Sequence, residues 1–471
     1  LFEGQPACML GVGCFRSYWS RRARGWSGGR RPHFASSCSL MHPSPSLLRE
    51  GLSRKEAVAW ASLDFANSGY TTVVLTAVFN AYFVSAVMSG AAHATLAWTL
   101  VLSISYALVM ITAPILGAYA DLRAQKKTLL VITTFGCAGA TALLATVGSG
   151  MWAWAMLLLV ISNFCYATHQ DMTAAFLPEI ADPASYGRVS GYGWAWGYLG
   201  GLIALAASLA WVSLAQSQQM DAQQTVGGTM LLTAAIFLLV ALPALSVMRE
   251  RAAPAASTQD WGLRHWLAAS WGRLHETWRL SARQPDLRRF LYCVTVYHAG
   301  VQTVIALAAI YAQQVMGFTL AQTILLILVV NITAAIGAWG FGLLQDRLGH
   351  ARGLMLALVF WICMVAVAWI ATTPTLFWIA ANFAGLAMGA SQSGARAAVA
   401  ALARPGHQAE TFGLWGVAVN CSAILGPVSY GLVTWITDNA HRTAMLFTGL
   451  FFVVGLLLLA RVDFQRGTLD A

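Results

Sequence analysis

Charged side chains inside long apolar runs are where this chain could do chemistry, because a charge in hydrocarbon is costly and is kept where it has a function. Asp64, Asp171 and Arg396 are three such groups. Asn67 follows Asp64 at one helical turn, and His169 stands two residues before Asp171. An imidazole titrates near neutral pH, so His169 could carry a coupling proton; a bonded core histidine is the plainer alternative. His298 and Gln302, one turn apart, make a second polar stripe, and Gln392 lies one turn before Arg396. The planar fork of Arg396 suits a carboxylate or a phosphate. Asp171 and Arg396 are 225 residues apart. They could face each other as a gate or hold substrate between them, or form a static pair that satisfies two buried charges. Asn331, Asn382, Gln392 and Asn420 are expected to make inter-helix hydrogen bonds.

The same offset relates two short turns. One runs from Gly117 through Asp121 and Arg123 to Lys126 and Lys127; the other runs from Gly342 through Asp346 and Arg347 to Gly349 and Arg352. Each ends one apolar run and leads into the next. A glycine at such a place lets two helices approach closely. The aspartate can accept bonds from the N-terminus of a neighbouring helix, whose unpaired N–H groups favour an anion. The basic residues then anchor the turn at the membrane surface. A solvated loop would explain one copy, but recurrence at a fixed spacing points to a latch between two halves related by a repeat.

These elements must sit in a membrane. The chain has 471 residues, 58% hydrophobic and 10% charged, against about 25% charge in soluble domains. Its net charge of +10 is spread over loops between apolar runs, which excludes a nucleic-acid groove. Twelve spans are read at about 57–88, 92–119, 127–147, 152–178, 188–214, 226–248, 288–315, 319–343, 351–371, 374–403, 408–437 and 441–462. After residue 40, Lys and Arg concentrate in the loops before odd-numbered spans and in the C-terminal segment; the opposite loops carry only Arg442. That asymmetry places both termini in the cytoplasm. Residues 1–50 are read as an extension outside the fold, with Met41 the expected start. Residues 51–248 form a first six-helix bundle, 249–287 a cytoplasmic linker, and 288–471 a second bundle. Within the linker, Trp261, Trp266, Trp271 and Trp278 alternate with Arg and His at helical spacing, as in an amphipathic helix on an anionic leaflet. Cys137, Cys165, Cys293, Cys363 and Cys421 fall within apolar runs without a C-x-x-C pair, and read as small buried hydrophobes. No Walker-type loop, H-E-x-x-H or G-x-S-x-G turn occurs. No enzyme activity, metal or cofactor is expected.

The two turns resemble the G-x-x-x-D-R-x-G-R-[KR] signature of the major facilitator superfamily. The second copy matches better, since the first has Leu122 in place of the Arg and Ala124 in place of the second Gly. Trp60-Ala-Ser-Leu-Asp64-Phe-Ala-Asn67-Ser-Gly-Tyr70 is similar to the W-x-x-Y-D-F-A-N-S-x-Y opening of the vacuolar-effluxer-like branch, with Leu63 where Tyr is usual. Gly187-Arg188-Val189-Ser190-Gly191-Tyr-Gly193-Trp194 and Gly389-Ala-Ser-Gln392-Ser-Gly-Ala-Arg396 resemble its fifth and tenth helices, while Ala174 replaces a usual Asn on the fourth. The resemblance implies an all-α membrane protein of twelve transmembrane helices in two pseudo-symmetric six-helix bundles, with a cavity lined by spans 1, 4, 7 and 10. It implies export of a small polar solute, an amino acid among the candidates, across the cell membrane by alternating access. Without a nucleotide site, an H+ or Na+ gradient or the solute's own gradient would supply the energy. A lipid-embedded monomer is the expected state. A sugar–cation symporter of the same fold, and a transport-dead receptor or scaffold, are the alternatives.

Overall fold

A chain in hydrocarbon must satisfy each backbone N–H and C=O within its own segment, so the apolar runs fold as helices. The computed structural model describes residues 47–89, 94–252, 272, 284–438 and 440–464; the segment 1–40 and the Trp-rich stretch of the linker lie outside them. Among the described residues the first six long helices are α1 (Arg54–Tyr70), α2 (Ala94–Arg123), α3 (Lys126–Leu143), α4 (Trp152–Ala175), α5 (Tyr186–Ser217) and α6 (Ala222–Val247). The last six are α7 (Pro285–Gln314), α8 (Leu320–Leu348), α9 (His350–Ile370), α10 (Pro374–Leu402), α11 (Gln408–Ile436) and α12 (His441–Leu459). Nine are long and apolar enough to cross a membrane by length and composition. The other three are α4, α7 and α10, which carry His169, Asp171, His298 and Arg396 in their interiors.

Packing repeats with the sequence. α1 packs on α5 and α6 as α7 packs on α11 and α12. α3 lies against α4 and α6 as α9 lies against α10 and α12. The halves meet along two equivalent seams, α2 on α11 and α8 on α5. Outward faces carry exposed apolar residues such as Leu239 at 75% and Val428 at 61%, as a lipid-facing surface requires. This is a multi-pass membrane architecture of two repeat-related bundles.

Two local features depart from the periodicity. α1 gives way after Tyr70 to a π-helical stretch, Thr71–Ala77. There Thr71 and Thr76 donate their hydroxyls to the carbonyls of Ser68 and Thr71, competing with the helical ladder. The glycines of α5, spaced four residues apart, divide between two faces. Gly187 and Gly191 meet α8, whereas Gly197 and Gly201 meet Ser68 and Thr72 at the first run.

α2 and α8 continue through their aspartates to Arg123 and Leu348, so each connection shrinks to a one- or two-residue reversal. Gly349 makes the second reversal at φ 87°. Ala124 makes the first at φ 53°, where a Cβ crowds the backbone. Ala124→Gly is therefore expected to stabilise the protein by about 0.5–1 kcal/mol, and Gly349→Ala to destabilise it by about 1–2 kcal/mol. Thermal unfolding of the purified protein in detergent checks both signs; equal shifts in one direction would contradict the strain at Ala124.

Candidate substrate site and latches

Arg396 reaches out of the second half and is enclosed by the first. The residue is only 2% exposed. Nη1 donates to Asp64 Oδ2 at 2.7 Å and Oδ1 at 2.9 Å. Nε donates to the Ser190 hydroxyl at 3.0 Å, and Nη2 to the Ser190 carbonyl at 2.9 Å. The ring centroids of Trp60 and Trp194 lie 4.7 Å and 5.5 Å from the guanidinium carbon. Trp60 is held in turn by its indole N–H, which donates to the Thr173 carbonyl of α4 at 2.7 Å. Gly193 brings the α5 backbone against the pair: a Cβ there would sit 2.5 Å from Asp64 Oδ2 and 2.7 Å from Arg396 Nη2. Ion pair, hydrogen bonds and aromatic faces thus satisfy a charge that would otherwise be prohibitive at this depth.

This corrects the expected pairing of Asp171 with Arg396. Asp171 is also buried, but its carboxylate abuts Gly416 of α11, and its Oδ2 has no hydrogen-bond partner among the described residues. The reason lies in the symmetry. Two residues equivalent under the repeat have equal depth, yet each faces the other half's counterpart helix: Arg396 meets α5, and Asp171 meets α11. Away from the two-fold axis, such residues cannot face one another.

The remaining candidates divide. His169 turns away from the other half, packing on Phe237 of α6 with ring centroids 5.6 Å apart. Two residues along a helix is about 200°, so His169 and Asp171 occupy opposite faces and form no relay. Asn67 is buried one turn beyond Asp64, and neither amide atom has a partner among the described residues. His298 Nδ1 meets the Ser422 hydroxyl at 3.0 Å, joining α7 to α11, and Gln302 is half-buried a turn further on. Gln392 Oε1 accepts from the Tyr198 hydroxyl, tying α10 to α5. Asn331, Asn382 and Asn420 instead donate to carbonyls four residues back in their own helices, and among the described residues they make none of the expected inter-helix bonds.

At the end of the bundle that bears the basic loops, both repeat-related aspartates grip the start of a helix in the other half. Asp121 accepts from the Ala409 and Glu410 N–H groups of α11 at 3.1 and 2.9 Å. Asp346 accepts from the Gly187 and Arg188 N–H groups of α5 at 2.7 and 3.1 Å, and from Arg188 Nε at 2.8 Å. Gly117 lies so close to the Ala409 carbonyl, and Gly342 to the Gly187 carbonyl, that neither tolerates a Cβ without a shift. Arg123 is half-buried at the end of α2, and Arg347 is exposed. Below this level, burial pushes the Glu250 carboxyl above its ordinary range, and a hydrogen bond to Glu56 holds Arg251 more firmly protonated.

The family model for vacuole effluxer Atg22-like proteins matches residues 52–471. The chain belongs to that family. It is 26% identical to the uncharacterized MFS-type transporter YxiO of Bacillus subtilis over 419 residues, 88% of this chain and 96% of YxiO. It is 24% identical to autophagy-related protein 22 of Eremothecium gossypii over 373 residues, 72% of each chain. Among solved structures, the human organic anion transporter MFSD10 superposes with TM-score 0.66 at 15% identity, over 86% of this chain and 99% of the other. The E. coli fucose:proton symporter FucP gives 0.64 at 15% identity, over 87% and 97%. These two share the fold. The protein is an MFS-type transporter, from a family and fold of transporters rather than enzymes.

Sequence reasoning singled out Asp64 and Arg396 but missed their enclosure by Trp60, Ser190, Gly193 and Trp194. The signal was present in part, since all four lie in the family-like motifs around Asp64 and along α5. Arg396→Gln should strand the Asp64 carboxylate and cost about 3–5 kcal/mol, with much of that recovered in Asp64→Asn/Arg396→Gln. A double-mutant cycle on thermal unfolding measures the recovery; strictly additive losses would contradict an energetically coupled pair.

Proposed function

We propose that this transporter exports a small zwitterionic solute of the amino-acid class by alternating access. One observation carries the reading: the buried Asp64–Arg396 pair crosses from one half to the other. A zwitterion presents both complements, a carboxylate for the Arg396 fork and an ammonium for Asp64. It can therefore take the place of each partner as the halves separate, so neither charge is left bare in a low-dielectric interior. A neutral sugar supplies no such replacement. The family's description as vacuole effluxers supports efflux of solute from the compartment that holds it.

In this reading the basic end faces the cytoplasm, with both termini on that side of the cell membrane, and the two aspartate contacts hold that end shut. Asp121 and Asp346 act as latches, with Gly117 and Gly342 as the close contacts and Arg123 and Arg347 at the surface. Each carboxylate on a helix N-terminus contributes about 0.3–2 kcal/mol, small enough to break in every cycle. Asn67, Asp171, His298, Gln302 and Gln392 belong to the path the solute or its coupling ion, H+ or Na+, follows between the halves. His169 faces α6, so its share in that path is the weakest of the set. Residues 51–248 and 288–471 move as the two bodies, joined by 249–287, and a single copy suffices.

Proteoliposomes loaded with unlabelled solute test the reading by counterflow. Labelled amino acids should exchange in the wild-type protein, fall at least about ten-fold in Asp64→Asn and Arg396→Gln, and remain near wild type in Asn331→Ala. Exchange of sugars or dianions with no amino-acid exchange would overturn it.

A further inference from the structure

The two latches are equivalent by symmetry but differ in what stands behind them. Asp346 is held by a cation from the other half, Arg188 of α5. Asp121 has its cation in its own half: Lys126, at the start of α3, places Nζ 3.5 Å from Asp121 Oδ1 and 2.7 Å from Glu179 Oε1. Lys126 is fully buried. The repeat-equivalent residue is Ala351, so the second half has no counterpart of this amine.

What places Lys126 is the first stretch of the linker. After α6 ends at Val247, Met248–Arg251 lies across the basic end of the first half. Glu250 caps α3, its Oε1 accepting from Lys126 N at 2.9 Å and its Oε2 from Lys127 N at 3.0 Å. Lys127 Nζ returns a bond to the Met248 carbonyl at 2.7 Å. Arg251 grips both oxygens of Glu56 on α1 at 2.8 Å each. Its own N–H donates to Glu179 Oε2 at 3.4 Å. Glu179 is the acid that holds Lys126 Nζ, so the strap reaches Lys126 by two routes, through the α3 N-terminus and through Glu179. Charge-assisted hydrogen bonds from the linker, joined by the 3.5 Å Lys126–Asp121 ion pair, thus lead to the first N–H groups of α11.

We infer that Glu250 and Arg251 are positioning residues for the first latch, tying closure of the α2–α11 seam to the path of the linker. Among the described residues, no linker group meets Asp346 or Arg188. Displacing the linker from the basic end would free Lys126, leave Asp121 without its tie and loosen α11, while Asp346 kept its hold on α5. This rests on the reading of Asp121 and Asp346 as latches, and it adds that one of the two is under the linker's control.

Hydrogen–deuterium exchange of the full-length protein reads the N–H groups that each latch holds. In Glu250→Gln, peptides covering Ala409 and Glu410 should exchange about five-fold faster or more, with peptides covering Gly187 and Arg188 unchanged. Arg251→Gln, which keeps the α3 cap, should give a smaller change at the same place. In an Asp121→Asn background Glu250→Gln should add nothing, because the route through Asp121 is already cut. Unchanged exchange at Ala409 and Glu410, an equal rise at both seams, or a full additional rise in the Asp121→Asn background would each overturn the inference. Asp121→Asn with wild-type counterflow would remove the latch reading itself, whereas normal latch behaviour with no effect of Glu250 would remove the linker's control alone.

Discussion

The closed form depends on one constraint: Arg396 cannot be buried by its own half. α10 carries it at a depth where no described carboxylate of the second half meets it, and the compensation comes from Asp64, Ser190 and two indoles of the first. A buried guanidinium without a partner costs several kcal/mol, so the halves must come together wherever Arg396 is dry. Everything on the basic side follows from keeping it so. The glycine contacts exclude water from the seams, and the aspartates bind helix N-termini that would otherwise need solvent. Separating the halves would demand a substitute for both charges.

Symmetry accounts for much of the rest, and its breakage for the remainder. Both latches use the same device, a carboxylate on the first N–H groups of a helix in the opposite half. Equivalence ends with the cations. Arg188 links the second latch across the seam, and Lys126 ties the first to α3, Glu179 and the linker. Arg396 and Asp171, equivalent under the repeat, show the same divergence, one in an ion pair and the other packed against Gly416. Equal backbones with unequal charges let the two seams differ in strength without any difference in fold.

Much of the architecture was legible because the bilayer leaves a helix little choice. The length of the apolar runs set the spans to within a few residues. The recurrence of Gly117 and Asp121 at Gly342 and Asp346 disclosed the two halves and the acceptor role of both acids. The candidate site was legible only as a set of expensive charges. Asp64 and Arg396 stood out for their depth, but their neighbours Ser190, Trp194 and Gly193 carry no such cost in a helix and were marked only as members of the motif along α5.

By itself, the sequence determined which segments are buried in lipid, how the chain repeats, and which residues are too costly to be passengers. Those properties are local, set by hydropathy and charge along the chain. Only the tertiary structure decided who faces whom: that Arg396 takes Asp64 rather than Asp171, that His169 turns toward Phe237, and that Glu250 and Arg251 meet the start of α3, Glu179 and Glu56. Depth can be read from one dimension, but azimuth cannot. The facing of a helix follows from the packing of its neighbours, and a repeat offset places equivalent residues at equal height on opposite sides of an axis.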